Sequence, residues 1–249
     1  MRIGIPSYQR VDKLKSLETL EKMGFTKADI VISTQTSEDY EKYLRAFSDR
    51  ATVIYRKGTN DSMNRNTCLD YFDEGEDFLL IDDDIKEFCG LEVIGDKKML
   101  YPIKTKAKLE AIAKKQFAFC EKHNSPIFAW YAVENAFFMS NTTDLRNILV
   151  GTVFGIRNRS DVRFNEVYDL KGDFEISLRL IERGFNAVRF NGFVAKADHR
   201  SAGGCESARK AGHNRIRCEA LLNRYPTLVV PHPTRAGEIK FIGDTGKRK

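Results

Sequence analysis

Short apolar runs alternate with amphipathic stretches over the first 90 residues of the chain. The runs predict four strands, and the apolar stripes at helical spacing between them predict three helices. This alternation is typical of an α/β fold with a mostly parallel central sheet. The predicted strands cover residues 2–5, 30–32, 52–55 and 78–81, and the predicted helices cover 11–23, 37–47 and 62–72, the last capped by Asp61 or Ser62.

The second half of the chain has a less regular pattern. Apolar stripes predict helices over 106–121, 174–183 and 206–224. Apolar runs predict strands over 127–130, 151–156, 187–190 and 193–197. No linker or internal repeat separates the two halves, so we expect a single domain over residues 1–249.

Composition places the chain among globular proteins. Of its 249 residues, 42% are hydrophobic and 31% are charged, which excludes disordered and collagen-like chains. Its apolar runs are too short to span a membrane, and its first residues lack the apolar core of a signal peptide. Its cysteines show neither metal-ligand spacing nor a disulfide framework. We therefore expect a cytosolic protein with reduced thiols, no membrane association and no obligate protein partner.

The net charge of +6 is unevenly distributed along the chain. Residues 200–249 hold eleven lysines and arginines against four acids, so this basic segment is +7 and the remainder is −1. Such a surface attracts nucleic acid or a phosphate-bearing ligand. An ordinary solvated helix with a frayed basic tail would explain the same pattern. The residues that we expect to contact a polyanion are Arg200, Arg209, Lys210, Arg215 and Arg217.

The strongest chemical signal is the acidic triplet Asp82, Asp83 and Asp84, which directly follows the fourth predicted strand. Adjacent carboxylates repel each other and lose hydration at the end of an apolar strand. Open α/β sheets bind ligands at the carboxyl ends of their strands, and alternation places Asp82 and Asp84 on one side. These two could share Mg²⁺ or Mn²⁺ with the phosphates of a substrate. A turn, or the cap of a helix over 85–88, would also explain the triplet.

Other polar residues are candidates for chemistry. His199 follows an apolar run and could complete a metal shell, although a lone histidine is more often structural. Asp173 lies at a predicted helix start, where it could cap the helix or act as a general base. The loop over 6–10 and the helix start at 64–66 offer guanidinium and amide groups to a nucleotide. The chain contains neither a glycine-rich phosphate loop nor a dinucleotide fingerprint.

Taken in order along the chain, these segments resemble the GT-A glycosyltransferases of the family 2-like group over roughly residues 1–200. The matching motifs are Pro6-Ser7-Tyr8-Gln9-Arg10, Arg65-Asn66, the acidic triplet as a DXD motif, Gly172-Asp173-Phe174-Glu175 and His199. The chain departs from the pattern at Gln9, where Asn is common, and at Gly172, where Glu is usual. Its second strand ends in Ser33-Thr34-Gln35-Thr36 rather than in an acidic sequence.

The compact length, the Asp-His-Arg-Ser sequence at 198–201 and the basic segment more narrowly resemble the TET-associated glycosyltransferases. That family is common in bacteriophages and is thought to glycosylate hydroxymethylated pyrimidines in DNA. The resemblance implies a Rossmann-like GT-A domain with a donor-binding half over 1–90, an acceptor half over 91–200 and a basic helix and tail over 201–249. A phage-encoded enzyme of this kind would act in the host cytoplasm.

The resemblance also implies roles for individual residues, with a UDP-sugar as donor and Mn²⁺ or Mg²⁺ as cofactor. Asp173 would be the base of an inverting transfer to 5-hydroxymethylcytosine or a related base in DNA. The implied donor-binding residues are Pro6, Ser7, Tyr8, Arg10, Arg65, Asn66, Asp82 and Asp83, and the implied metal ligands are Asp82, Asp84 and His199.

Three other functions remain open at this point. The first is a glycosyltransferase that acts on a saccharide, a lipid carrier or a protein. The second is a catalytically silent nucleic-acid-binding protein on the same scaffold. The third, a sugar nucleotidyltransferase, is disfavoured because the chain lacks the glycine-rich N-terminal loop that is typical of that class.

Overall fold

The central feature of the computed structural model, which describes residues 1–198 and 212–248, is a ten-stranded sheet. Its strands are β1 (Ile3–Pro6), β2 (Ile30–Thr34), β3 (Thr52–Tyr55), β4 (Asp77–Ile81), β5 (Ile85–Ile94), β6 (Lys97–Pro102), β7 (Ile127–Tyr131), β8 (Thr143–Asp144), β9 (Val153–Arg157) and β10 (Val188–Ala197). A separate antiparallel pair consists of β11 (Val229–Pro231) and β12 (Ile239–Phe241). The α-helices are α1 (Lys15–Lys22), α2 (Ser37–Phe47), α3 (Asp61–Tyr71), α4 (Lys106–Lys122), α5 (Gly172–Glu182) and α6 (His213–Arg224).

The strand order in the sheet is β3-β2-β1-β4-β9-β7-β10-β5-β6, and β8 pairs with β10 beside this path. The first four strands are parallel neighbours, whereas β9 lies antiparallel between β4 and β7. β10 runs parallel to β7 and antiparallel to β5. One mixed sheet, with most strands in one direction, therefore takes strands from both halves of the chain. This is the α/β architecture that the sequence predicts.

Helices cover both faces of the sheet, as they must when parallel strands are apolar on both sides. Ile3 and Ile5 share a hydrophobic cluster with residues of α1, α2 and α4. Leu80 and Phe154 share another with residues of α3 and α5. Gly4 lets α3 approach β1, because an added Cβ would lie 3.1 Å from Cys68 Sγ.

The C-terminal segment, defined here as residues 212–248, packs on the second half of the sheet. Cys218, Leu221 and Tyr225 of α6 form a cluster with Tyr168 and Leu178. The chain then returns to β8, where it forms a bridge between residues 143 and 248. The prediction of a frayed tail is therefore wrong for residues up to 248, because backbone hydrogen bonds and apolar contacts hold this segment.

Several element boundaries differ from the sequence predictions. The helix predicted over 11–23 is interrupted at Leu14, so that a 3₁₀ turn (Val11–Lys13) precedes α1. The strands predicted over 187–190 and 193–197 are one strand, β10, whose pairing with β7 shifts register between Phe190 and Val194. An irregularity in the strand, rather than a turn, breaks the apolar pattern there.

Three other predictions also need correction or lie partly outside the described residues. The helix considered for 85–88 is the start of strand β5, which pairs with β10 and β6, whereas the alternative of a turn is confirmed at Asp83 and Asp84, between β4 and β5. The cap of α3 is Asn60, whose side chain accepts from Met63 N at 3.0 Å, and not Asp61 or Ser62. The helix predicted over 206–224 is described only from His213, where α6 begins after Gly212 with a φ of +77°.

Four cysteines of the described chain are free and buried: Cys68, Cys89, Cys120 and Cys218. Burial raises the pKa of each of these thiols, which keeps them protonated and unreactive. Cys205 lies outside the described residues. Among the described helices, none combines the length and the apolar character that crossing a membrane requires.

Candidate active site

The carboxyl ends of β1 and β4 meet where the strand order of the sheet reverses. From β1 the chain moves outward to β2 and β3, and β4 then pairs with the other side of β1. The loops that follow β1 and β4 consequently diverge, and a crevice forms between them. The loop over 6–10 follows β1, and the acidic triplet follows β4.

Asp83 joins the two sides of this crevice. Its carboxylate accepts from Ser7 Oγ at 2.6 Å and from Arg10 Nη1 at 2.6 Å. The same guanidinium nitrogen lies 3.3 Å from Asp84 Oδ2. Burial raises the pKa of Asp83, whereas Arg10 and the hydrogen bond from Ser7 oppose that rise. The structure thus brings together Ser7, Arg10, Asp83 and Asp84, as the sequence predicts.

Helix α2 holds the loop over 6–10 through two residues that sequence reasoning missed. Tyr43 OH lies 2.7 Å from Ser7 Oγ and accepts from the backbone N–H of Arg10 at 3.0 Å. Asp39 accepts from the backbone N–H of Gln9, which has a left-handed φ of +55°. Asp39 and Tyr43 are both buried at i, i+4 spacing on one face of α2, and this spacing is the signal that could have identified them.

Arg65 lies on the other side of the crevice, in the first turns of α3. Its Nη2 donates to Asp82 Oδ1 at 2.9 Å, and its Nε donates to Asp61 Oδ2 at 2.6 Å. The guanidinium contacts two neighbouring aromatic rings, 5.4 Å from the Phe154 ring centroid and 5.6 Å from that of Phe164. Its Nη1 is buried and has no hydrogen-bond partner among the described residues. An anionic ligand would satisfy this donor.

The two asparagines that flank Arg65 have different surroundings. Both ends of the Asn66 amide bind the backbone of Phe164, at 2.8 and 2.9 Å, so Asn66 holds this ring against Arg65. Asn64 donates to the carbonyl of Ser7 at 3.0 Å. It is therefore Asn64, which belongs to the candidate helix start at 64–66 but not to the implied donor-binding residues, that contacts the loop over 6–10. Pro6 ends β1, and Tyr8 is half-buried in that loop.

Asp82 has a strongly perturbed carboxyl. Burial raises its pKa to about 7; Arg65 opposes the rise, and the charges of Asp61 and Asp84 add to it. About a third of its side-chain surface nevertheless remains exposed, with a relative accessibility of 32%. A cation that bound here would lower this pKa and keep the carboxylate ionised.

Asp173 lies in the first turn of α5. The residue that precedes the helix is Lys171, so Asp173 does not occupy the cap position, and its Oδ1 instead accepts from Phe174 N at 2.9 Å. Burial raises the pKa of Asp173, and the charges of Arg65 and Lys171 oppose that rise. The Arg65 guanidinium thus acts electrostatically on both Asp82 and Asp173, and it is hydrogen-bonded to Asp82.

Gly172 allows this approach of α5 to α3. A Cβ at position 172 would lie 2.3 Å from Ser62 Oγ, which itself donates to the carbonyl of Tyr168 at 2.6 Å. Any side chain at this position would therefore collide with Ser62 unless α3 or α5 moved. The close contact between these helices thus explains the glycine at position 172.

The carboxylates of Asp82 and Asp84 are hard oxygen donors at the end of one strand, and this chemistry fits Mg²⁺ or Mn²⁺. Within residues 1–198 and 212–248, however, no three histidine, cysteine or acidic side chains are grouped as a metal site. The third predicted ligand, His199, lies outside the described residues. Its neighbour Asp198 donates its N–H to the carbonyl of Asp84 at 3.2 Å, which places the chain next to the triplet.

The predicted polyanion-binding residues are only partly described. Arg200, Arg209 and Lys210 lie outside the described residues. Arg215 pairs with Glu219 at 2.8 Å on the exposed face of α6, and Arg217 donates to Asp169 at 2.7 Å. Acids of the same chain thus neutralise both arginines that the structure describes.

No protein-family model and no curated protein matches the chain. Its structure is similar to that of the mannosyltransferase PcManGT from Pyrobaculum calidifontis in complex with GDP-Man and Mn²⁺, with a TM-score of 0.56 and 12% identity. The fold resembles that of nucleotide-sugar transferases. This likeness, which covers 90% of the chain, confirms the predicted fold class, although the chain spans only 63% of the mannosyltransferase. A UDP-glucose pyrophosphorylase complexed with UDP-glucose matches 86% of the chain and 98% of its own length, with a TM-score of 0.44 and 12% identity.

Proposed function

We propose that this chain is a glycosyltransferase that moves a sugar from a UDP-sugar to a hydroxyl group, with Mn²⁺ or Mg²⁺ as cofactor. The observation that carries the proposal is the placement of Arg65 at the carboxyl ends of β1 and β4, where it pairs with Asp82 of the acidic triplet and its charge acts on the Asp173 carboxyl. Transfer from a sugar nucleotide requires positive charge next to the diphosphate of the donor. It also requires a base that accepts the proton of the acceptor hydroxyl. This crevice offers groups for both tasks.

On the donor side, the loop over 6–10 and Arg65 would bind the nucleotide. The buried Nη1 of Arg65 lacks a partner among the described residues and would donate to a phosphate oxygen. A divalent cation held by Asp82, Asp84 and His199 would neutralise the charge that develops on the departing diphosphate. The complex of the mannosyltransferase PcManGT with GDP-Man and Mn²⁺ supports this choice of donor class and metal.

On the acceptor side, Asp173 would accept the proton of the attacking hydroxyl. Its Oδ1 already accepts from the backbone N–H of Phe174, so Oδ2 is the atom that would receive the proton. The raised pKa favours proton uptake, and the charges of Arg65 and Lys171 limit the rise. Direct attack assisted by this single base inverts the configuration of the anomeric carbon.

For the acceptor we propose 5-hydroxymethylcytosine in DNA. We also propose that a phage encodes the enzyme. The support is the narrower resemblance to the TET-associated glycosyltransferases and the +7 charge of residues 200–249. Base flipping would bring the hydroxymethyl group to a carboxylate in a crevice, at a cost of about a few kcal/mol. Binding would weaken steeply with salt, because counterions are released when basic residues contact phosphates.

A second candidate is a transferase of the same mechanism that acts on a saccharide, a lipid carrier or a protein. The pairing of Arg215 with Glu219 and of Arg217 with Asp169 favours it, because these arginines are less available to phosphates. Such an enzyme would bind DNA weakly and without strong dependence on salt.

The deciding experiment incubates the protein with Mn²⁺, labelled UDP-glucose or GDP-mannose, and DNA that contains either cytosine or 5-hydroxymethylcytosine. Label on hydroxymethylated DNA alone supports the first acceptor. Release of the nucleoside diphosphate without label on either DNA supports the second candidate. An absence of donor turnover and of diphosphate binding contradicts the glycosyltransferase proposal.

A further inference from the structure

The residue that leads into α5 adopts a conformation that needs outside support. Lys171, two residues before Asp173, has φ +64° and ψ +20°, a left-handed conformation that residues other than glycine rarely adopt. No side chain caps the helix at this position. A backbone of this kind persists when surrounding contacts over-determine it.

Glu238, in the C-terminal segment, provides one such contact. Its Oε2 accepts from Lys171 Nζ at 2.7 Å, and its Oε1 accepts from Asn214 Nδ2 at 3.0 Å. The ammonium of Lys171 also lies 4.2 Å from the ring centroid of Phe174 in α5. Burial opposes ionisation of Glu238, yet the hydrogen bonds from Lys171 and Asn214 lower its pKa. The ion pair is therefore built into the fold and only partly open to solvent.

A second contact holds the other end of the same stretch. Asp169 accepts from Arg217 Nε at 2.7 Å and is hydrogen-bonded to His213, and both partners belong to α6. Further along α5, Tyr225 OH donates to the buried carboxylate of Glu175 at 3.2 Å. The C-terminal segment thus binds the residues before and after Asp173, although none of these hydrogen bonds reaches Asp173 itself.

We propose that Glu238 and Arg217 are positioning residues, which hold Lys171 and Asp169 so that the carboxylate of Asp173 faces Arg65 and the acceptor hydroxyl. This inference rests on the proposed function, in which Asp173 is the base. It assigns to the C-terminal segment a role in the chemistry that differs from contact with a polyanion. The close contact at Gly172 restricts movement of the start of α5 toward α3, because a Cβ at this position would already overlap Ser62.

The test compares two ion pairs between the C-terminal segment and the α5 region. Glu238→Gln breaks the pair beside Asp173. Glu182→Gln is the matched control, because Glu182 pairs with Arg224 at 2.7 Å at the exposed far end of the same helix. With UDP-glucose and Mn²⁺, we expect Glu238→Gln to lower kcat about tenfold with KM nearly unchanged, since small misplacements of reacting groups cost rate rather than binding. Glu238→Asp should recover part of the loss, and Glu182→Gln should stay within about twofold.

Substitutions at Lys171 distinguish the effect of its left-handed backbone conformation from the effect of its ion pair with Glu238. Lys171→Gly accepts the left-handed conformation, whereas the β-branched Lys171→Val does not. We expect kcat to fall further in Lys171→Val than in Lys171→Gly. Adding Glu238→Gln to Lys171→Gly should cause no further loss, because the pair is already broken. Equal kcat in the two Lys171 variants, or an additive loss in the double variant, would overturn the proposal.

A measurement that does not depend on turnover tests the positioning of Asp173 independently of the proposed function. The Asp173 carboxyl can be titrated by NMR in protein labelled at the aspartate Cγ, with its signal assigned from Asp173→Asn. In Glu238→Gln we expect its raised pKa to fall toward the ordinary value as water reaches the site, and in Glu182→Gln we expect no change. A shifted titration without turnover by any variant would refute the proposed donor chemistry and leave the positioning intact. An unshifted titration would refute the positioning.

Discussion

The two sides of the crevice are built in different ways. On the donor side, Ser7, Arg10, Arg65 and the acidic triplet all come from the first 90 residues, and each follows a strand or lies at a helix start. On the acceptor side, Asp173 depends on partners from the C-terminal segment, such as Glu238, which pairs with Lys171 across 67 residues of sequence. Both sides use contacts between residues that are distant in sequence, since Ser7 and Asp83 are 76 positions apart. The order of the strands within the first 90 residues brings together the proposed donor side, whereas the proposed acceptor side also needs the C-terminal segment.

The sharpest way to separate the two sides is Asp173→Asn. Loss of the proposed base should reduce turnover by about 10²- to 10⁴-fold. Binding of UDP with Mn²⁺, measured by calorimetry, should remain within about twofold, because asparagine can still accept from Phe174 N. Asp161→Asn, at an exposed carboxylate that pairs only with Arg159 among the described residues, is the control for lost charge. Loss of UDP binding, or a reduction of turnover no greater than in the control, would contradict separate roles for the two sides.

Arg10→Met tests how far the donor side depends on its internal ion pairs. The substitution removes the guanidinium partner of Asp83, a carboxylate that is only 6% exposed. Leaving a buried charge without its partner costs about 3 kcal/mol or more of unfolding free energy. The loss, measured by urea denaturation, should be larger at pH 8 than at pH 5, because Asp83 can take up a proton at the lower pH. An equal loss at the two pH values would show that Asp83 is not ionised in the folded protein.

Asp82→Asn tests the electrostatics of the same edge through pH. The folded pKa of Asp82, about 7, lies above the ordinary value of 3.8, so the fold favours the protonated form. The stability that protonated Asp82 contributes to the fold is complete below the ordinary pKa of 3.8 and is lost as pH rises through about 7. The wild type should therefore lose more stability than Asp82→Asn between pH 5 and pH 8, as measured by urea denaturation.

A matched control exists for this pH experiment. Arg159 lowers the pKa of Asp161, so this carboxylate is ionised throughout the range from pH 5 to pH 8. The difference in stability between the wild type and Asp161→Asn should stay constant across that range. Parallel pH curves for the wild type and Asp82→Asn would contradict the raised pKa.

Gly172→Ala tests the contact between the two sides and has the smallest expected effect. The new Cβ would lie 2.3 Å from Ser62 Oγ, and relief of this overlap should cost about 1 kcal/mol of stability. Gly90→Ala is the control, since a Cβ there meets its nearest atom at 3.7 Å. In a double-mutant cycle, Ser62→Ala should reduce the cost of Gly172→Ala. Additive effects of the two substitutions on stability would show that positions 172 and 62 are not in steric contact.

The first half of the fold could be predicted from sequence because its signals are local. Apolar runs mark the strands, and polar residues directly after them reach one edge of the sheet. Asn64 and Asn66 show the limit of this reasoning, because both lie beside Arg65 in sequence. Which of them reaches Ser7 depends on the rotation of α3 against the sheet, and the pattern of one helix does not determine that rotation.

The second half was harder to predict for two physical reasons. The β5–β6 hairpin was missed although Gly95-Asp96 is a two-residue turn signal, because residues 85–88 were considered only as a helix that the acidic triplet would cap. The basic segment was interpreted through its net charge, but charge counts do not reveal partners distant in sequence. Arg217 binds Asp169 at a separation of 48 residues.

The most direct test of the central claim is the position of manganese in crystals soaked with MnCl₂ and UDP. We expect an anomalous-scattering peak from manganese at the carboxylates of Asp82 and Asp84. We expect the diphosphate of UDP to be bound to this manganese and within reach of Arg65. A peak elsewhere, or UDP bound away from the ends of β1 and β4 with that edge of the sheet empty, would contradict it.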